Sequence, residues 1–304
     1  MARYAVIDVG TNSVKFHVGE KQADALWTKV VDRADVTRLG EGLEASGAFT
    51  PDAMERTAAA IAGMVAEAQR ERAVAVAAVG TMGMRTARNS GAFIDEVARR
   101  CGVRIDVISG AEEARLGFLA VRAGLGLGTG SMVIFDTGGG SSQFTFGRGS
   151  TVTEQFSLNV GAARFTEEYG LAGVVTAAEL QRATDAMAAD LARLDAAAVP
   201  DALVGMGGAV TNLTAVMLGL GTYDPDAVQG ALLRRAEVER QVELYRSRSA
   251  DARRQIVGLQ PRRAEVILAG ACIVRTVMSK LRKDELTVSD RGLRHGLLID
   301  RFGG

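Results

Sequence analysis

The sequence is sparing with cysteine, proline and histidine, and it carries no net charge. Two cysteines in 304 residues, Cys101 and Cys272, exclude a disulfide framework, and neither lies in a CxxC or Cys/His cluster of the kind that holds zinc. Both fall in apolar helical stretches and read as core residues. Four prolines beside 36 glycines do not suit a disordered chain; so many glycines suit tight loops in which backbone approaches a ligand. Basic and acidic residues number 36 each, so the formal net charge is zero. That balance argues against a broad nucleic-acid-binding face and leaves room only for a local basic pocket. Long apolar runs are missing too, so no membrane span is expected. The N-terminus enters a strand directly after Met1-Ala2-Arg3 with no signal-peptide core, and the expected location is cytoplasmic.

What remains is an ordinary globular composition, 47% apolar and 24% charged, long enough for two domains. Residues 3–9, VKFHVGE and ADALWTKVV read as three strands joined by tight turns. Thr50-Pro51 opens a long helix with Thr50 as N-cap and Pro51 at its first position. Ala58, Ile61, Met64, Val65 and Ala68 form its buried stripe. Residues 74–80 read as a strand, 83–101 as helical, 105–109 as a strand and 110–124 as a helix. Then the pattern repeats: residues 131–158 again read strand, glycine turn, strand, turn, strand, and 202–210 is a strand running through glycines into a helix. Asp8 and Asp136 end the first strand of each meander. The implied fold is α/β, two duplicated actin-like (ribonuclease H-like) domains around an inter-domain cleft, a usual place for a ligand. Residues 1–122 with 290–304 form the expected N-terminal domain and 123–289 the C-terminal one.

Four motifs carry chemistry. In 8-DVGTNS-13, Gly10 lets backbone approach an anion and Thr11, Asn12 and Ser13 add donors. In 136-DTGGGSSQ-143, Gly138, Gly139 and Gly140 precede Ser141; a simple hairpin has no use for three glycines, whose conformational freedom has an entropic cost. Two such loops read as phosphate cradles. In 205-GMGGAVTNL-213, Gly207 and Gly208 lie before a helix whose N-terminal dipole favours an anion, although close strand–helix packing explains the same glycines. In 108-ISGAEEARLG-117, Glu112 and Glu113 occupy a first helical turn, where acidic residues are common simply to match the dipole. Near a bound polyanion, such a carboxylate is also a candidate general base toward water.

The order DxGTNS, TxxxRxAxN, SGxEEAxxxxG, DxGGGS, GxGG and SxxGLRxG resembles the exopolyphosphatase / guanosine pentaphosphate phosphatase family over essentially the whole chain. The most specific element is SGxEEA, which ends in Glu112, Glu113 and Ala114, followed by the DxGGGS that starts at Asp136. The resemblance implies that Glu113 activates water with Glu112 as support. It implies that Asp8 and Asp136 hold a divalent cation, magnesium or another. Gly138 to Ser141 would cradle phosphate and Arg85, in the stretch that includes Thr81 and Asn89, would bind it. The implied substrate is inorganic polyphosphate cut from its end, or alternatively guanosine pentaphosphate; a catalytically weak nucleotide or alarmone sensor is the competing class. Two positions depart from the family pattern. Gln143 stands where an acidic residue closes GGGSTE, an oxygen donor without charge at an expected metal position. His295 stands in GLRHG where GLREG is usual, and reads as an exposed residue. Longer relatives carry a further helical domain, so a polyphosphate channel built by that domain is not expected here. Oligomeric state is left open, a homodimer included.

Overall fold

The computed structural model describes residues 1–23 and 27–303. The chain forms two compact units, Met1–Ala120 with Gly292–Gly304, and Val121–Arg291.

Unit 1 begins with β1 (Ala2–Val9), β2 (Ser13–Lys21) and β3 (Trp27–Val36). Part of the expected third strand, residues 24–26, lies outside the described residues. There follow α1 (Pro51–Arg70), β4 (Ala73–Gly80), α2 (Met82–Thr86), α3 (Ser90–Cys101), β5 (Ile105–Val107) and α4 (Gly110–Leu125). The sheet order is β3-β2-β1-β4-β5; β1, β2 and β3 form an antiparallel meander and β4 and β5 continue in parallel. Thr50 caps α1, its hydroxyl accepting from the Ala53 N–H at 3.3 Å. The expected stripe from Ala58 to Ala68 is buried. Residues 83–101 are two helices instead of one. Ala87 between them is extended, and the Asn89 amide bonds both backbone groups of Phe49 at 2.9 Å.

Alternation along β1 sorts its side chains. Ala5, Ile7 and Val9 join the cluster under α1 and α3, whereas Val6 joins Val79, Ile108, Leu116, Leu297 and Leu298. The second cluster belongs to the terminal helix, Leu293–Phe302. Each such residue, fully buried, contributes roughly 1.5–3 kcal/mol. The approach of this helix is closest at Gly296, where a Cβ would overlap the Leu116 carbonyl oxygen of α4. A backbone atom cannot swing aside as a side chain can. Gly296→Ala is therefore expected to destabilise unit 1 by about 1–3 kcal/mol, the usual range for overpacking. An unchanged denaturation midpoint would contradict the contact.

Unit 2 repeats the scheme with β6 (Ser131–Thr137), β7 (Ser142–Arg148) and β8 (Thr151–Leu158). It continues with α5 (Ala162–Tyr169), α6 (Ala177–Asp190), β9 (Ala202–Met206) and α7 (Gly207–Leu218). Last come β10 (Leu232–Arg234), α8 (Arg235–Arg246), α9 (Ile267–Lys280) and β11 (Glu285–Val288). Its sheet order is β10-β11-β9-β6-β7-β8. Read from the meander outward, β8-β7-β6-β9-β11 matches β3-β2-β1-β4-β5 in strand direction as well as order. The duplication therefore extends from the aspartate–glycine motifs to the topology. Cys272 is fully buried on α9, while Cys101 is only partly so, its thiol bonding the Val97 carbonyl.

Candidate active site

The two aspartate–glycine loops have the same wiring. Asp8 pairs with Lys15 and Asp136 with Gln143 in register, and each strand pair is closed by a tight turn. In each, the first glycine N–H donates to the serine carbonyl across the turn, Gly10 to Ser13 at 3.1 Å and Gly138 to Ser141 at 2.8 Å. The loop carbonyls are also used. Gly40 and Arg38 donate to Thr11 and Asn12 in unit 1; Ala162, Ala163 and Arg164 donate to Gly138 and Gly139 in unit 2. Among the described residues, no acceptor meets the N–H groups of Thr11, Asn12, Gly139, Gly140 or Ser141. Loops whose carbonyls are consumed while their amides stay open present positive dipoles to an anion.

The three glycines of the second loop are not there for backbone strain, since none has a positive φ. A Cβ at Gly140 would meet nothing within 4 Å and one at Gly139 only Ala163 in ordinary contact at 3.5 Å. Side chains at both positions would therefore fit the fold. The glycine that the packing demands is Gly161, whose Cβ would overlap Gly139 and Gly140 themselves.

In unit 1, α4 starts at a serine cap, with Ser109 Oγ accepting from the Glu112 N–H at 3.1 Å. The two glutamates then diverge. Glu112 is taken by Arg115, whose Nε and Nη2 donate to its two oxygens at 2.9 and 2.8 Å. That hydrogen bonding outweighs burial and lowers the Glu112 carboxyl below its ordinary value. Glu113 gives one oxygen, Oε2, to the Arg85 fork at 3.2 and 3.3 Å, while Arg85 Nη1 is anchored on the Ile108 carbonyl at 2.7 Å. Glu113 Oε1 has no partner among the described residues. Arg85 and Glu113 thus meet, whereas Thr81 is buried and Asn89 is structural.

In unit 2, Gly207 has φ +79° and faces Asp136 so closely that a Cβ would overlap the carboxylate. A Cβ at Gly208 would overlap the Arg263 guanidinium. The N-terminus of α7 has no side-chain cap. Sequence reasoning does not single out Arg263, because an arginine far beyond Gly208 in the chain carries no local signal. It is half-buried, and its side chain makes no hydrogen bond or ion pair among the described residues. Burial pushes its pKa down and Arg262 adds to that, while Asp136 opposes them. A cavity lined by Thr137, Gly138, Gly208 and Arg263 lies here. The missing side chains at Gly207 and Gly208 thus leave room for a carboxylate and a guanidinium.

The expected metal donors are placed as follows. Asp8 is buried, 3% exposed, with Lys15 Nζ at 3.3 Å. Gln143 is exposed, and its amide NH2 donates to Ser141 Oγ at 2.8 Å and Ser157 Oγ at 3.4 Å, while its side-chain oxygen accepts no hydrogen bond among the described residues. His295 corrects an expectation. It is not an exposed residue: its side chain is 13% exposed, with the His17 ring centroid at 4.7 Å. Burial pushes its pKa down to about 4.

A duplicated actin-like α/β fold, with open-amide loops ending its strands and a carboxylate held beside an arginine, defines a phosphoryl-group hydrolase. The chain belongs to the Ppx/GppA phosphatase family, which it matches over residues 17–303. It is similar to exopolyphosphatase 2 of Mycobacterium tuberculosis, with 29% identity covering 100% of this chain and 99% of that one. The guanosine-5'-triphosphate,3'-diphosphate pyrophosphatase of Photobacterium profundum is 28% identical over 98% of this chain and 59% of its own length. Among solved structures, the type II variant of the Aquifex aeolicus Ppx/GppA phosphatase superposes with a TM-score of 0.92 at 29% identity, covering 99% of this chain and 100% of that one. No described helix is long and apolar enough to cross a membrane.

Proposed function

We propose that the protein is an exopolyphosphatase that removes terminal phosphate from inorganic polyphosphate. The observation that carries this reading is the divergence of the two glutamates. Glu112 is consumed by Arg115, while Glu113 keeps Oε1 open and has the Arg85 guanidinium on Oε2. An open lone pair on a carboxylate beside a phosphate-binding cation is what removal of a proton from attacking water needs. Arg85 holds the carboxylate and, through its remaining donor capacity, a phosphate oxygen. In unit 2 the amides of Gly139, Gly140 and Ser141 suit charge that develops on phosphoryl oxygens, and in unit 1 those of Thr11 and Asn12 offer the same kind of donor. Arg263, without a hydrogen-bond partner among the described residues, supplies a further guanidinium for a phosphate. Gly207 and Gly208 keep space for Asp136 and Arg263.

Asp8 in unit 1, and Asp136 and Gln143 in unit 2, each offer oxygen, the donor type that suits a hard divalent cation such as magnesium. When bound, such an ion neutralises phosphate charge. Gln143 already spends its NH2 on two serine hydroxyls, so its oxygen is the atom left for a cation. Exchanging it for a charged oxygen donor strengthens the attraction, so Gln143→Glu is expected to need less magnesium for half-maximal activity. A magnesium titration of both proteins at saturating polyphosphate checks this. Equal or higher half-activation in the variant would remove residue 143 from the metal shell.

Support for polyphosphate comes from the mycobacterial exopolyphosphatase, which aligns from end to end. The second reading, guanosine pentaphosphate phosphatase, is favoured by the Photobacterium relative. The test is phosphate release from long-chain polyphosphate and from guanosine pentaphosphate, each with magnesium. A higher kcat/KM on polyphosphate is expected. A higher value on the nucleotide would establish the second reading, and tight binding without turnover of either would favour a sensor.

A further inference from the structure

The terminal helix reaches Glu112 of the glutamate pair through Arg115. Arg115 Nη2, besides donating to Glu112, donates to Asp300 Oδ1 at 2.6 Å. Asp300 belongs to the terminal helix, whose seat on unit 1 is fixed three times. Gly296 rests against the Leu116 carbonyl of α4. Leu297 and Leu298 share an apolar cluster with Leu116. At the N-terminal end of the helix, Arg294 grips both oxygens of Asp32 on β3, at 2.6 and 3.0 Å.

The Asp32 anchor also gathers both histidines of the chain, His17 and His295. Three ligand-type side chains in one place suggest a metal shell, but their chemistry opposes it. Arg294 already occupies both carboxylate oxygens with a positive charge. The Gly292 N–H donates to His295 Nδ1 at 3.2 Å, so in the neutral ring the proton sits on Nε2, the nitrogen that faces Asp32 Oδ2 at 3.5 Å. A metal-bound histidine needs that nitrogen bare and an acceptor behind the other. Burial on its own raises the Asp32 carboxyl, but the surrounding His17, His295 and Arg294 more than offset it and hold it far below the usual carboxylate range. The cluster is a charged hydrogen-bonded anchor for the helix.

We infer that Asp300 and Arg115 are positioning residues for hydrolysis: the anchored terminal helix holds Arg115, Arg115 holds Glu112, and the first turn of α4 thereby keeps Glu113 in place. This rests on the reading of Glu113 as the base. The backbone of that turn is otherwise fixed at its start by the Ser109 cap. A small displacement of a catalytic group is costly, of the order of 10²-fold in rate for about 1 Å. Asp300 touches neither Glu113 nor Arg85 through any hydrogen bond among the described residues, so its effect reaches the chemistry only through Arg115.

The experiment compares Asp300→Asn, Asp300→Glu, Arg115→Gln, the Asp300→Asn/Arg115→Gln double variant and Glu113→Gln with the parent, using long-chain polyphosphate and magnesium. Rates are read well below the lowest melting temperature of the set. Asp300→Asn and Arg115→Gln are each expected to lower kcat about tenfold, with KM within about twofold. The double variant should lose no more than the worse single one, because both changes break one chain of contacts. Asp300→Glu keeps the carboxylate and should recover most of kcat. Unchanged kcat in Asp300→Asn, additive losses, or a KM rise that accounts for the loss would each overturn the inference. Glu113→Gln separates the two readings. If it is inactive while Asp300→Asn keeps full kcat, the positioning role alone fails; if it stays active, the base assignment falls and this inference with it.

Discussion

Replacing Glu113 by Gln is expected to lower phosphate release by about 10²–10⁴-fold, the usual contribution of a general base, while polyphosphate binding changes little. The amide is nearly isosteric and its oxygen can still accept from Arg85, which donates to Glu113 Oε2 at 3.2 and 3.3 Å in the parent. Arg85 also keeps its bond to the Ile108 carbonyl, so the guanidinium stays where phosphate would meet it. What is lost is the ability of the second oxygen to take a proton from water. The matching change at Glu112 has a different expectation, because that carboxylate is spent on Arg115 and acts on the geometry of the turn. Single-turnover phosphate release with a parallel binding isotherm decides the matter. A variant retaining more than a tenth of the parent rate would remove Glu113 from the role of base.

The second large effect is expected at Gly139. Valine there should raise KM for polyphosphate by one to two orders of magnitude, roughly the loss of one or two charge-assisted hydrogen bonds at the low end of their worth, and leave the fold intact. The fold side of this claim rests on the environment: a Cβ at Gly139 has only Ala163 at 3.5 Å, and the residue does not have positive φ. The functional side rests on the open amides at 139, 140 and 141, beside which a branched side chain would stand. Michaelis kinetics with a circular-dichroism spectrum and a melting curve separate the two. An unchanged KM in a folded variant would mean that the loop does not meet substrate through its backbone. Gly161→Ala is the opposite case, since its Cβ would overlap loop backbone and overpacking of that kind should lower stability.

Much of this was legible in the chain alone, and the particular residues show why. Local chemistry announces itself locally: Thr50 and Pro51 specify the start of α1, period-2 patterning specifies both meanders, and an aspartate followed by glycines and hydroxyls specifies a turn with amides to offer. The return of that turn at Asp136, after its first appearance at Asp8, carried the duplication, which the two matching strand orders bear out. The break between α2 and α3 was less legible. It depends on Asn89 reaching the distant Phe49, and helical propensity contains no information about such a partner.

Partnership was beyond the reach of sequence for the same reason. Glu112 and Glu113 are adjacent, equally acidic and in the same helical turn, yet one is consumed by Arg115 and the other is left half open beside Arg85. His295 reads as an ordinary surface residue in GLRHG until β2 and β3 bring His17 and Asp32 against it. Arg263 stands beside the start of α7 only because Gly208 leaves room for its guanidinium. Period, capping and turn chemistry depend on neighbours within a few positions, so the sequence by itself determined the elements, their repetition and which loops can bind an anion. Which charge meets which depends on contacts between residues far apart in the chain, brought together by burial of apolar faces. Only the tertiary structure therefore decided which glutamate keeps an oxygen open, and which helix meets the arginine that takes the other.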